Sequence, residues 1–157
     1  MRVGIGYDIH PLKEGRPLIL GGIKIPSPKG LDGHSDADCL THALCDALLG
    51  ALGKGDLGAH FPDTDPRYHG ISSLLLLEEV MGWVKEEGWE VENADITIIA
   101  QAPRLSPYME EMRRALSQAM GIEEGRVNIK ATSPEGMGSL GREEGISSLA
   151  VVSLKRR

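Results

Sequence analysis

The chain has 157 residues, of which 41% are hydrophobic and 25% charged, and its formal net charge is −6 at pH 7. This length and composition are typical of a single globular domain, here 1–157, and are too small for two ordinary domains. Apart from Lys155-Arg156-Arg157 the chain has no basic tract, so nucleic acid is not an expected partner. No apolar run is long enough to cross a membrane and no signal-peptide pattern precedes the domain, so we expect no membrane partner and a cytoplasmic location.

The segment 2–10 alternates between large apolar residues and small or polar ones, which predicts a β-strand. One face carries Val3, Ile5, Tyr7 and Ile9, and the other carries Gly4, Gly6, Asp8 and His10. The glycines leave their face uncrowded, so a helix or a ligand can approach it. Asp8 and His10 share this face and lie roughly 7 Å apart along the strand.

The rest of the chain mixes strands and helices without a linker or an internal repeat. We predict a hairpin at 17–25 that turns at Gly21-Gly22, a loop at 27–33, helices at 36–51, 72–87 and 107–120, and strands at 91–100, 126–132 and 147–154. Ser35 is expected to cap the first helix, and Ser106 the third. The predicted fold class is α+β: a mixed four-stranded sheet and a small hairpin, with helices on one face.

Asp8 and His10, together with His42 in the first predicted helix, form a candidate metal site. Two imidazoles and one carboxylate, with a fourth position open, suit catalytic zinc. A polar strand end with two unrelated histidines is the alternative, and spacing alone does not exclude it. Cys39 is a further candidate ligand, although Cys39 and Cys45 are more simply explained as buried, unbridged thiols.

The neighbours of His42 include two carboxylates at helical spacing. Asp38 and Asp46 stand four residues before and after His42, so either carboxylate is a candidate for orienting its ring. A solvated helix face is the alternative explanation.

Three further segments are candidates for binding. His34-Ser35 stands before the first predicted helix, where a helix N-terminus attracts anions, or it is an ordinary cap. The stretch 61–65 contains two carboxylates and suits either sugar-like hydroxyls or a stiff turn. The loop 134–142 lacks the ending of a P-loop, but its Glu135 suits a hard divalent cation. His60 and His69 have no partner spacing and are expected at the surface.

Six motifs follow one another in an order that identifies a family resemblance. They are Gly-Tyr-Asp-Ile-His at 6–10, Gly-His-Ser-Asp-Ala-Asp at 33–38, His42, Phe-Pro-Asp-Thr-Asp at 61–65, Ile-Ile-Ala-Gln-Ala-Pro at 98–103 and Lys-Ala-Thr-Ser-Pro-Glu-Gly-Met-Gly at 130–138. Through them the chain resembles, essentially end to end, the 2-C-methyl-D-erythritol 2,4-cyclodiphosphate synthases of the non-mevalonate isoprenoid pathway. The resemblance implies a CMP-releasing lyase, cytidine recognition, and a homotrimer with active sites at subunit interfaces.

The resemblance also implies roles for individual residues. It assigns Asp8, His10 and His42 to one Zn²⁺ per subunit and Glu135 to Mg²⁺ or Mn²⁺. It makes His34 and Ser133 catalytic, with His34 stabilising the transition state. The implied substrate-binding residues are Asp8, His10, His34, Ser35, Asp56, Leu57, Gly58, Phe61, Pro62, Asp63, Thr64, Asp65, Ala100, Gln101, Ala102, Pro103, Arg104, Leu105, Ser106, Ala131, Thr132, Ser133, Pro134, Glu135, Ser139 and Arg142. Within this set, Asp56, Gly58 and the loop 61–65 would hold the methylerythritol part, whereas 100–106 and 131–135 would form the cytidine and phosphate pocket.

The chain departs from the family pattern at a few positions. Arg104 replaces a frequent lysine, which preserves the charge but changes the donor geometry. Thr132-Ser133-Pro134 replaces the Thr-Thr-Thr or Thr-Thr-Asn that is common in the family before the glutamate, and Ser133 keeps the hydroxyl. Ser139 replaces a common phenylalanine that, with Arg142, borders a central cavity able to hold an isoprenoid diphosphate. The change to Ser139 therefore bears on that cavity more than on catalysis.

Two other functions are compatible with these residues. One is a metal-dependent phosphohydrolase, in which water attacks the phosphate. The other is a non-catalytic trimeric sensor of cytidine nucleotides or isoprenoid diphosphates, in which the zinc is structural. The resemblance favours the cyclase, in which an already ionised 2-phosphate attacks the β-phosphorus and no strong general base is needed.

Overall fold

A five-stranded mixed sheet forms the centre of the molecule in the computed structural model, which describes residues 1–157. Its strands are β1 (Arg2–Glu14), β4 (Lys29–Leu31), β5 (Trp89–Ile99), β6 (Val127–Thr132) and β7 (Gly145–Arg156), in the order β4-β1-β7-β5-β6. Only β5 and β6 are parallel. A separate hairpin consists of β2 (Leu18–Leu20) and β3 (Ile23–Ile25). The predicted α+β class is confirmed, but the predicted count of four strands is wrong because β4 pairs with the end of β1.

The helices lie on one face of the sheet. They are α1 (Cys39–Leu52), α2 (Leu57–His60), α3 (Ser73–Glu86), α4 (Met109–Met120) and α5 (Gly138–Gly141). Helix α1 packs directly against β1 and β7, and α3 packs against α1. Leucine and isoleucine side chains between these layers, such as Leu44, Leu48 and Ile96, are fully buried. Each contributes about 1.5–3 kcal/mol through removal from water.

The two glycines of β1 allow α1 to approach the sheet closely. A Cβ at Gly6 would lie 1.9 Å from the carbonyl oxygen of Ala43, and one at Gly4 would lie 1.9 Å from that of Ala47. These distances are far shorter than any real contact, so only glycine fits at either position. The alternation of β1 therefore brings α1, and with it His42, onto the strand that carries Asp8 and His10.

Helix α1 begins later than the sequence predicts. Its N-cap is Asp38, whose carboxylate accepts hydrogen bonds from the Thr41 N–H at 3.0 Å and the Thr41 hydroxyl at 2.7 Å. The same carboxylate accepts the N–H groups of Gly21 and Gly22, which ties the β2–β3 turn to the helix. Burial and the charge of Asp36 raise the pKa of Asp38 above its usual value. The prediction of Ser35 as the cap was wrong because the buried Asp38 satisfies more donors.

The start of α4 also differs from its prediction. A 3₁₀ turn over Ser106–Tyr108 precedes the α-helix, and no side chain caps it. The Ser106 hydroxyl instead accepts a hydrogen bond from Arg104 Nε at 3.2 Å. No helix of the structure combines the length and apolar character needed to cross a bilayer.

The face of the sheet opposite the helices is apolar and exposed. Its large side chains are Val3, Ile5, Tyr7 and Ile9 of β1 and Leu149 and Val151 of β7. Patches of this kind mark interaction surfaces in proteins.

Candidate active site

Asp8, His10 and His42 come together as the alternation of β1 and the close approach of α1 require. One ligand atom from each lies within 4.8 Å of the other two. The Asp8 Oδ2 atom is 2.7 Å from His10 Nδ1 and 3.6 Å from His42 Nδ1. The three-residue cluster predicted from the sequence is therefore present, while Cys39 lies outside it and contacts the Ser148 hydroxyl at 3.4 Å.

The hydrogen bonding of this cluster is that expected of metal ligands. Asp8 Oδ2 and His10 Nδ1 are both buried, and neither makes a hydrogen bond of acceptable geometry. Buried polar atoms rarely remain unpaired, and an ion is one of the usual reasons when they do. Burial alone would raise the pKa of Asp8, but the two histidines outweigh it and lower the pKa, which favours the carboxylate form. One carboxylate and two imidazoles match the donor preferences of zinc.

On the side away from the cluster, the ring of His42 contacts two serines and not the carboxylates predicted from spacing. Its Nε2 atom lies 2.8 Å from Ser73 Oγ and 3.2 Å from Ser35 Oγ. Asp46 accepts the N–H of Leu57 at 2.7 Å, and Asp38 caps the helix as described above. The prediction that Asp38 or Asp46 orients His42 was therefore wrong, since both carboxylates are used by backbone groups.

A polar cavity of about 500 Å³ opens in front of the cluster. The predicted site residues that line it are Asp8, His10, His34, Ser35, His42, Asp56, Leu57, Gly58, Phe61, Pro62 and Asp63. Thr64 and Asp65 are not in its lining, but the Asp65 carbonyl is 2.8 Å from His34 Nε2 and so fixes that ring. The cavity thus unites the N-terminal strand, the segment before α1 and the predicted binding loop.

Hydrogen bonds and aromatic packing order the binding loop. Asp56 caps α2 through the N–H of Ala59, and Asp46 holds the N–H of Leu57. Phe61 is buried and stacks against Trp83 with a centroid distance of 5.8 Å. His60 is only partly exposed, because it packs on Trp83 and binds the Lys54 carbonyl at 2.8 Å. The expectation of a surface position is met by His69 but not fully by His60.

A second, smaller cleft of about 330 Å³ lies elsewhere on the same chain. It is lined by Ala100, Gln101, Pro103, Arg104, Leu105, Ser106, Ala131, Thr132 and Ser133, which belong to the segments expected to hold cytidine and phosphate. The Ala102–Pro103 peptide bond in this wall is cis. No residue lines both this cleft and the cavity at Asp8.

Glu135 lies in an ordered loop beside the second cleft. Its N–H donates to Ser133 Oγ at 2.9 Å, and the next N–H, of Gly136, donates to Gln101 Oε1 at 2.8 Å. The Glu135 side chain is exposed, and its backbone has a φ of 56°. Glu135 and its neighbour Pro134 are not in the lining of this cleft. Glu135 is also absent from the lining of the Asp8 cavity and from the Asp8 cluster, so a single chain does not bring it to that cluster.

Ser139 and Arg142 lie apart from both cavities. Ser139 borders a hollow of about 280 Å³ next to Ile9 and His10. Arg142 pairs with Glu144 at 2.6 Å and is exposed.

Taken with the fold, this site defines an α+β domain with a three-ligand cluster suited to a metal ion at the base of a polar cavity. The model of the YgbB family matches residues 1–155, and the chain belongs to that family. The 2-C-methyl-D-erythritol 2,4-cyclodiphosphate synthase of Syntrophomonas wolfei is 54% identical over 156 residues, which is 99% of each chain. The enzyme of the same name from Desulfitobacterium hafniense is 60% identical over 154 residues, 98% of each chain.

Solved structures show the same fold. A 2C-methyl-D-erythritol-2,4-cyclodiphosphate synthase in a form with CDP bound is 40% identical, with a TM-score of 0.90 over 98% of this chain and 100% of that one. The bifunctional IspDF of Campylobacter jejuni is 41% identical with a TM-score of 0.96. The match covers 99% of this chain but only 42% of that longer protein.

Proposed function

We propose that this protein converts 4-diphosphocytidyl-2-C-methyl-D-erythritol 2-phosphate to 2-C-methyl-D-erythritol 2,4-cyclodiphosphate and CMP in the synthesis of isoprenoid precursors. The observation that carries the proposal is the 60% identity, over 98% of both chains, to a synthase of that name. The Asp8–His10–His42 cluster supports it, because a phosphate substrate in a protein of charge −6 needs local cations.

The reaction joins two phosphates of one molecule. An oxygen of the 2-phosphate forms a bond to the β-phosphorus, and the bond from that phosphorus to the bridging oxygen breaks. The electron pair of the broken bond leaves with CMP. Because the nucleophile is already an anion, the protein has mainly to position the phosphates and offset their charge.

In this proposal Asp8, His10 and His42 hold Zn²⁺, and Glu135 holds Mg²⁺ or Mn²⁺. Bound there, the two ions would polarise the reacting phosphates and screen the charge that develops on CMP. His34 donates its Nε2–H to the Asp65 carbonyl, which fixes the ring, and Nδ1 would bind a substrate phosphate as a second N–H donor, with a proton on both ring nitrogens. Ser35 accepts the N–H of Ala37 and has its own hydroxyl proton left to donate.

The second cleft is proposed to bind cytidine and the diphosphate. The walls at 100–106 and 131–133 offer backbone groups, the Arg104 guanidinium and the Ser133 hydroxyl. Ser133 is proposed to act on the transition state together with His34. This role is supported by its exposed position at the end of β6, where a hydroxyl can reach a phosphate held beside Glu135.

We further propose a homotrimer in which one subunit supplies the cavity at Asp8 and its neighbour supplies the nucleotide cleft. The separation of the two cavities on one chain supports this arrangement, as does the exposed apolar face of β1 and β7. An isoprenoid diphosphate is proposed to bind in the space between subunits near Ser139 and Arg142, where a serine stands in place of the aromatic ring common in the family. Two buried, unbridged cysteines support a reducing, cytoplasmic location.

Turnover of the cytidylyl diphosphate substrate by metal-replete protein tests the proposal. Release of CMP together with a cyclic diphosphate, both identified by mass, is the expected result. CMP with open-chain 2-C-methyl-D-erythritol 2,4-bisphosphate, in which water has cleaved the cytidylyl diphosphate, would instead make the protein a hydrolase. Binding of CDP without any product would make it a sensor.

A further inference from the structure

The two ring nitrogens of His42 face different partners. Nδ1 is on the side of the cluster, 3.6 Å from Asp8 Oδ2, whereas Nε2 points away from it, 2.8 Å from the hydroxyl oxygen of Ser73. Ser73 is fully buried and His42 is buried as well, so water cannot take the place of Ser73 at Nε2. A neutral imidazole carries one proton, and the neighbour of Nε2 decides on which nitrogen that proton lies.

The hydroxyl of Ser73 has its proton committed elsewhere. It donates to Oδ1 of Asp36, and Oδ2 of the same carboxylate accepts the backbone N–H of Ser73 at 3.0 Å. Asp36 Oδ1 also accepts the N–H of Asp38 at 3.1 Å. A carboxylate surrounded by three donors acts only as an acceptor, so Ser73 Oγ presents a lone pair, not a proton, to His42.

We propose that Asp36 and Ser73 are positioning residues of the metal site. Their hydrogen-bonded chain holds the proton of His42 on Nε2 and thereby leaves the lone pair of Nδ1 for the metal. The inference rests on the proposed metal site and adds to it the pair of residues that fixes the tautomer and the ring orientation. Such partners behind a ligating histidine commonly change metal affinity about 10- to 100-fold.

The same chain links two elements that are far apart in sequence. Asp36 lies in the segment that leads into α1, and Ser73 is the first residue of α3. The neighbouring Ser72 is the N-cap of α3, yet its side chain is exposed and makes no capping hydrogen bond. Ser72 therefore offers a matched control: it has the same chemistry one residue away and no contact with His42.

The test measures zinc affinity by competition with a chromophoric chelator in Ser73→Ala, Asp36→Asn and Ser72→Ala. We expect Ser73→Ala to bind zinc about 10-fold more weakly or worse, and Ser72→Ala to match the wild type. Ser35 Oγ, 3.2 Å from the same nitrogen, limits the loss in Ser73→Ala. In Asp36→Asn the amide can donate to Ser73 Oγ, whose proton then turns to Nε2 and opposes the required tautomer, so its loss should be at least as large.

A spectroscopic measurement separates this role from a purely structural one. In the ¹H–¹⁵N spectrum of zinc-loaded wild type and Ser72→Ala, His42 should show a slowly exchanging Nε2–H, and zinc should be on Nδ1. In Ser73→Ala that proton should exchange faster. Zinc on Nε2 in the wild type would overturn the inference without any variant, which covers the case in which a variant does not fold.

The outcomes also separate this inference from the proposals on which it rests. Zinc binding by the wild type with unchanged affinity in both Ser73→Ala and Asp36→Asn would overturn the positioning role and leave the metal site standing. A wild type that binds no zinc would overturn both. Turnover of the substrate is measured separately and bears on the reaction alone.

Discussion

Asp8 has the least replaceable role of the three clustered residues. Its Oδ2 atom is close to nitrogens of both histidines, is buried, and has no hydrogen bond of its own. Replacing the carboxylate by an amide keeps the shape but removes the charge that a cation needs. The Asp8 position is therefore where a single substitution tests the cluster most cleanly.

We expect Asp8→Asn to abolish turnover and to lower zinc affinity by more than about 100-fold. That figure is the upper end of the loss seen when a residue that only hydrogen-bonds to a metal ligand is replaced. Metal analysis after dialysis, together with the rate of CMP release, measures both effects. Glu110→Gln is the matched control, because it makes the same carboxylate-to-amide change in an exposed ion pair with Arg113 on α4. Full zinc content and full activity in Asp8→Asn would disprove the three-ligand site.

Glu135 is expected to affect the second ion only. Glu135→Gln should retain zinc, while the concentration of Mg²⁺ or Mn²⁺ needed for half-maximal turnover should rise by about 10-fold or more, since an amide is a poor ligand for a hard cation. Glu143→Gln is the control: Glu143 is also exposed and also has a positive φ, of 61°. Unchanged metal dependence in Glu135→Gln would show that the ion is held elsewhere.

For single residues, the sequence predicts the site correctly where a regular spacing determines which side chains lie together. It fails where residues far apart in the sequence come into contact. The period of two in β1 places Asp8 and His10 together, and the two glycines predict the approach of α1. Nothing local to His42 indicates Ser73, because it is 31 residues further along the chain and reaches Nε2 only when α3 packs on α1. Spacing suggested Asp38 and Asp46 instead, since it does not reveal which backbone donors compete for a carboxylate.

The pair formed by β1 and α1 is the element that builds the site. Close backbone approach at Gly4 and Gly6 sets the distance from which His42 reaches Asp8. We expect Gly6→Ala to destabilise folding by about 3 kcal/mol or more, because the atom in its way is the backbone oxygen of Ala43 and cannot rotate aside. Urea unfolding at a fixed protein concentration measures the effect.

Gly82→Ala is the control for this prediction. Gly82 lies inside α3, and an added Cβ would meet no atom within 4 Å. Alanine there should stabilise the protein by about 0.5–1 kcal/mol through helix propensity. If Gly6→Ala were tolerated as well as Gly82→Ala, the close packing of α1 on β1 would not be what positions His42.

Element boundaries illustrate the limits of local patterns. The predicted helix at 72–87 and the predicted strands at 91–100 and 126–132 correspond to α3, β5 and β6. Each agrees with the structure to within two residues at both ends. The start of α1 was misplaced by three residues, because a buried carboxylate at Asp38 caps the helix more effectively than Ser35. Strand β4 was missed since its three residues have no strand pattern and owe their conformation to pairing with β1.

At the scale of the whole molecule, the exposed face of β1 and β7 is the feature that a single chain leaves unexplained. Ile5 is 66% exposed in the middle of this face, with Val3 and Tyr7 beside it. Covering such a face against other copies of the chain would remove apolar area from water and bring separate cavities together. The proposed trimer accounts for both.

Light scattering tests the assembly. The wild type should have three times the chain mass of 16.9 kDa, whereas Ile5→Asp should have a lower mass and no turnover. Leu75→Asp is the control, because Leu75 is 53% exposed on α3, away from the proposed interface. The Leu75→Asp protein should therefore stay assembled. A wild type with the mass of one chain, or an Ile5→Asp protein that remains assembled and active, would refute the trimeric active site.

The measurement that tests the central claim most directly is a turnover in ¹⁸O-labelled water. If the 2-phosphate closes the ring on the β-phosphorus, no solvent oxygen enters a product, and both CMP and the cyclic diphosphate should be free of ¹⁸O by mass. If water were the nucleophile, the products would be CMP and an open-chain bisphosphate, and one of the two would contain one ¹⁸O in its phosphate. That result would contradict the cyclase and assign the Asp8–His10–His42 site to hydrolysis.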